Sequence, residues 1–174
     1  NDEITGELTR AEGQNVGTYA IEQGTLTAGD NYDINYTQAL LTIVKANADT
    51  TAPTANELTY NAETQELVTA GTPTGGTLMY STDGENYSID IPTATNAGEY
   101  TVYYKVEGDD NHNDVNEQQI TVTILAKALT ITADAKSKTY GEVDPALTYT
   151  SEGLCGNDEI TGELTRAEGQ NVGT

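Results

Sequence analysis

NAGEYTVYYKVEGDDNHNDVNEQQITVTILA, residues 96–126, decides the fold. Tyr100, Val102, Tyr104 and Val106 occupy every second position, and after a polar break Ile120, Val122 and Ile124 do the same. A period of two places each set on one face of a pleated strand, whereas a helix would space apolar residues three or four apart. GDDNHND (108–114), between the two runs, is made of turn-forming Gly, Asp and Asn. The stretch therefore predicts two long strands joined by a short connection. Toward the N-terminus the pattern recurs in shorter form: Leu58 and Tyr60 in ANELTYN, Leu67 in QELV, Leu78 and Tyr80 in GTLMYS, and Tyr87, Ile89 and Ile91 in NYSIDIP. NAET, TPTGG, TDGEN and TNAGE punctuate these runs. Six or seven short strands over residues 47–126 predict a small β-sandwich.

The opening stretch has an echo. NVGTYAI (15–21) matches NAGEYTV (96–102), and GDNYDINYTQALLTIVKA (29–46) matches GDDNHNDVNEQQITVTILA (108–126). Further upstream, KTYGEVDPALTYT (138–150) pairs with ELTYNAETQELV (57–68). A larger repeat encloses both, because NDEITGELTRAEGQNVGT fills residues 1–18 and again 157–174, an offset of 156 residues. Repeats of this kind dictate architecture. Each period is expected to hold two diverged modules. Residues 1–46 then read as the C-terminal part of one module and 47–126 as a complete module. Residues 127–174 read as the N-terminal part of the next module, with 157–174 repeating 1–18. Two origins fit: a window on a long tandem array, or a duplicated terminal element that neighbouring chains exchange. Half a sandwich leaves apolar faces and strand edges unpaired. Neighbouring copies, joined covalently or by domain swapping, are therefore the expected partners, in an open head-to-tail assembly.

Composition narrows the function. Seven basic and 28 acidic residues give a net charge of −21. That argues against nucleic acid, which needs clustered Lys and Arg, and against an anionic membrane surface. Phe and Trp are absent while Tyr occurs 11 times, and Tyr, Thr, Val and Ile suit a half-buried sheet. No run approaches the length of a membrane span. Cys155 stands alone, so no intrachain disulfide forms; a small residue at a turn or edge in SEGLCG is the expected role. The links between modules are short: ILAKALTI (124–131) leaves hardly a gap, and VKANADTTAPTANE (44–57), carrying Pro53, is expected to be stiff and extended.

LTITADAKSKTYGEVDPALTYT (129–150), with its Tyr140-Gly141 and Asp144-Pro145 pairs, and GTYAIEQGTLTAGDNYDINYTQALLTI (17–43) resemble the MBG family of mostly-β repeats in large bacterial surface proteins. Residues 47–126 resemble a related Ig-like repeat. The resemblance implies an all-β fold: small Ig-like β-sandwich modules strung in tandem as an extended array, often in adhesin-like proteins. It implies no catalytic residues. The expected role is a structural segment of a bacterial extracellular fibre, stalk or adhesin at the cell surface. The alternative is an adhesive module that binds carbohydrate or protein through Tyr32, Tyr36, Tyr87 or Tyr103.

Four features carry candidate chemistry. Gly17 with Tyr19, and Gly98 with Tyr100, read as tyrosine corners, in which the hydroxyl bonds back to nearby backbone. Asp109, Asp110, Asn111, Asn113 and Asp114 concentrate oxygen ligands of the type Ca²⁺ prefers, and Asp30, Asn31, Asp33 and Asn35 sit at the matching place in the first module. The spacing is not that of an EF-hand, and Asx residues make turns without metal, so no cofactor other than calcium is expected. His112, the only histidine, has no nucleophile arranged around it in the sequence, and no carboxylate pair stands out as acid and base, so an enzyme is not expected. Lys105, a candidate for a Lys–Asn cross-link, has the parity of a solvent-facing residue.

Overall fold

The alternating residues of 96–126 form the two longest strands, Gly98–Gly108 and Val115–Leu125. They belong to a computed structural model that describes residues 3–169, 171 and 172. Asn1, Asp2, Gln170, Gly173 and Thr174, all in the duplicated eighteen residues, lie outside the described residues. The described chain is all-β. Its main sheet has four strands in the order Gly76–Ser81, Gly98–Gly108, Val115–Leu125, Leu58–Thr59. The first three run antiparallel, and the last lies parallel to its neighbour, with Leu58 opposite Ile124.

One irregularity extends the apolar face beyond what alternation predicts. Tyr104 pairs with Gln118 but Val106 pairs with Val115, so the second strand carries one extra residue there. A single insertion switches parity, which lets odd-numbered Val115 pack against the same core as Ile120, Val122 and Ile124.

The core lies on this face. Val102 and Val106 are fully buried, Val122 and Ile124 nearly so, and Leu78, Tyr80 and Tyr104 join them. Leu67 and Val68, both fully buried, come from short ladders outside the main sheet. There Gln65–Glu66 pairs with Thr93–Ala94, and Val68–Thr69 pairs with Thr54–Ala55. The Leu67 amide donates to Pro92 O at 2.9 Å between the two ladders, so adjacent apolar residues can both point inward. Each such side chain contributes about 1.5–3 kcal/mol by leaving water.

Two local readings change. NYSIDIP forms one bridge, Tyr80 with Ser88, and Ile89 is exposed. Asp83 is the reason: its carboxylate accepts from Ser81 Oγ, Glu85 N, Asn86 N and Asn86 Nδ2, folding 81–86 into a tight turn. Pro92 then lacks the N–H a longer ladder would need. The presumed linker 44–57 is instead absorbed into sheet. Ala46–Asn47 pairs in parallel with His112–Asn113, Asp49–Thr51 pairs with Thr72–Thr74, and Pro53 is buried. Extended, Thr-rich backbone keeps its N–H and C=O groups available, and a nearby edge pairs them.

The flanks are thinner. Thr9–Arg10, Gly17–Glu22 and Ala39–Ile43 make a three-stranded antiparallel sheet, and Thr130–Ala133 pairs with Tyr149–Glu152. The first sheet repeats the central register: Gly17 faces Ile43 as Gly98 faces Ile124, and Ile21 faces Ala39 as Val102 faces Ile120. Yet no residue in 3–46 is buried. Leu41 is 39% exposed where its counterpart Val122 is 1% exposed.

Candidate functional site

The Asx-rich loop 108–114 sits where the first sheet meets the central module. Asp109 Oδ1 accepts from Asn111 N at 2.8 Å and lies 2.6 Å from His112 Nδ1, while Asp114 Oδ1 accepts from Gly108 N at 2.8 Å. The hydrogen bond with His112, foremost, holds the Asp109 carboxyl below its ordinary pKa. Gly75, at φ +78°, lets the His112 ring approach; a Cβ there would meet ring carbons 2.5 Å away. The Asp109–Asn111 bond is that of an Asx turn, and the Asp114–Gly108 bond closes the loop. Among the described residues no three His, Cys, Asp or Glu side chains group as metal ligands.

What the loop holds is chain. Lys45 Nζ donates to Asp109 O and His112 O, both at 3.1 Å, and Ala46 N donates to Asn111 O at 2.9 Å. Asn111 reaches back to the first sheet, where its Oδ1 accepts from Val16 N at 2.8 Å and its Nδ2 donates to Asn15 Oδ1 at 3.1 Å. Sequence reading missed Lys45 and Asn15 here. The signal was present in the Lys45-Ala46 and Lys127-Ala128 pairs that follow equivalent strands.

A second junction lies at the other end of the central module. Tyr60 Oη donates to the Asp158 carboxylate at 2.9 and 3.1 Å, which raises the phenol's pKa. Cys155 is buried beside it, and Lys127 Nζ lies 3.2 Å from its Sγ. Ala62 adopts φ +65°, and a Cβ on Gly156 would sit 3.0 Å from the Ala62 methyl. Cys155 is thus packed in the contact between the SEGLCG turn and the NAET turn.

Both tyrosine pairs have the same geometry. Tyr19 Oη donates to Asn15 O, and Tyr100 Oη to Asn96 O, each at 2.7 Å. Gly17 and Gly98 share φ +157°. The first site contains more than sequence reading named: the Tyr19 ring lies so close to Gly13 that a Cβ there would be 2.1 Å from Cε1, and the Arg10 guanidinium sits 5.4 Å from the ring centroid.

The four tyrosines proposed for adhesion diverge. Tyr36 Oη donates to Ile21 O at 2.7 Å, so it supports the sheet. Tyr87 Oη donates to Glu117, and burial first, then that bond, pushes its pKa up to about 12. Lys105 Nζ stands 4.4 Å above the Tyr87 ring and 3.4 Å from Glu107, rather than beside an Asn amide. A Cβ on Gly84 would lie 3.7 Å from the Tyr103 ring. Tyr32 stays exposed. A groove of about 600 Å³ runs along the C-terminal flank past Lys138, Tyr140, Leu147 and Arg166. Asp144 clips it at one side: it pairs with Arg166 at 2.6 Å and Lys138 at 2.5 Å, and chiefly through Arg166 its pKa falls to about 2.

A family model described as MBG domain (YGX type) matches residues 1–42 and 129–174, together just over half of the chain. No curated protein matches the chain, and no solved structure does.

Proposed function

The chain belongs to the MBG domain (YGX type) family, and from that premise we propose that it is a structural repeat segment of a bacterial extracellular fibre, stalk or adhesin whose copies join end to end. One observation carries the reading. The two family-matched flanks expose counterparts of the residues that the central module buries: Leu41 for Val122, and Leu147, 37% exposed, for fully buried Leu67. One flank supplies the sheet and the other the covering strands of a single sandwich, so completion by a neighbouring copy buries both. Modules whose ends complete one another extend in one direction, as a stalk does. The role is mechanical rather than catalytic, and it needs no cofactor. Among the described residues no helix is long and apolar enough to cross a membrane.

Sedimentation over a range of concentrations tests this. The expected result is a ladder of linear species at multiples of 18.5 kDa. A monomer at every concentration would overturn it. The adhesive alternative rests on Tyr32. Reproducible sub-millimolar binding of a glycan or protein, lost in Tyr32→Ala, would favour it instead.

A further inference from the structure

The mode of joining can be read from the central module, which already contains one such joint. There the Leu58–Thr59 strand lies parallel to the end of the Val115–Leu125 strand, Leu58 opposite Ile124 and Thr59 opposite Leu125, and Tyr60 N donates to Leu125 O at 2.8 Å. Leu67, seven positions beyond Tyr60, fills the core against Val102, Val122 and Ile124. TYNAETQEL (59–67) and TYGEVDPAL (139–147) align Tyr60 with Tyr140 and Leu67 with Leu147 without a gap. On the receiving side, the matching ladder registers align Ile124 with Ile43 and Val122 with Leu41.

Both alignments hold at once only if Lys138 lies opposite Ile43 and Thr139 opposite Val44. We propose that residues 138–140 of one copy add as a parallel strand to the outer edge of the Ala39–Ile43 strand of a second copy, with Leu147 closing over Ile21, Leu41 and Ile43. This rests on the end-to-end reading above and specifies its register. That edge has no ladder partner among the described residues, and Val44 beyond it is 75% exposed. The groove of about 600 Å³ along Tyr140 and Leu147 is the matching surface on the donor.

Cysteine pairing tests the register. In chains of residues 1–174 carrying Cys155→Ser, one partner receives Thr139→Cys and the other Val44→Cys, or Thr42→Cys as an out-of-register control. Mild oxidation should join the 139/44 pair at least tenfold faster than the 139/42 pair. Equal rates, or association in sedimentation without cross-linking of the 139/44 pair, would overturn the register while leaving end-to-end assembly standing. No association would overturn both. Leu147→Asp guards against misfolded cysteine variants: it should abolish association while leaving the melting of the central module unchanged, and association that survives it counts against the proposal.

Discussion

The ladder at Gly98–Ile124 and the ladder at Gly17–Ile43 share register, turn glycine and tyrosine hydrogen bond, yet one lies over a sealed core and the other over none. The difference is the second layer. In the central module Leu67 and Val68 come down on the sheet from short ladders that follow in the same stretch of chain. The segment that aligns with residues 59–67, residues 139–147, lies in the other flank, between the two strands of a separate hairpin. Strand pairing and core burial are therefore separable here: hydrogen-bonded register forms locally, while burial needs a second layer.

The largest effect that could break the comparison is at its centre. Leu67→Ala should destabilise the central module by about 2–5 kcal/mol, because a fully buried side chain leaves both lost transfer energy and a cavity. Leu147→Ala at the equivalent position should cost the dilute chain under about 1 kcal/mol. Urea melts of both variants check the pair, and equal losses would mean that the flank is already sealed. Tyr100→Phe should lower central stability by about 1 kcal/mol through loss of its bond to Asn96 O, while Tyr19→Phe should leave the central transition unmoved. Thermal melts decide that.

Acid separates the regions by a different chemistry. The Asp83 carboxyl is held below its ordinary pKa first by the Asn86 amide, then by the Asn86 and Ser81 side chains. A depressed carboxyl contributes stability above its unfolded pKa and loses it as the pH falls through the folded value. Asp83→Asn should therefore melt below the native chain at pH 5, with the gap closing toward pH 2. Asp144, depressed to about 2 by Arg166 and Lys138, should affect the groove and not the central transition over the same range. The smallest effect is with calcium. Millimolar Ca²⁺ should shift the melting temperature by less than about 1 °C, since Asp109 and Asp114 already accept loop amides. A larger stabilisation would make 108–114 a metal loop.

Much of this was legible in the sequence. The alternation in 98–106 and 120–124 marked the central strands and most of the core, because side-chain direction in a strand depends only on parity. The rhymes marked the ladders that share a register. Val115 escaped because a bulge changes parity without any compositional sign. The 44–57 segment escaped because Pro and Thr read the same whether extended chain is free or paired. Lys45, Asn15 and Asp158 escaped because their bonds span 64 to 98 positions, and no local pattern records such distance.

The duplicated eighteen residues divide the two kinds of information. In both copies the Arg guanidinium donates to the carbonyls one and three residues ahead, Arg10 to Ala11 and Gly13, Arg166 to Ala167 and Gly169. The glycines adopt nearly the same φ, +142° and +144°. Those bonds close within four residues, so the sequence alone determines them. Thr9–Arg10 is a strand, paired with Ile21–Glu22, whereas the identical Thr165–Arg166 lies in none. A strand needs a partner edge for its N–H and C=O groups, and only the tertiary structure supplies one.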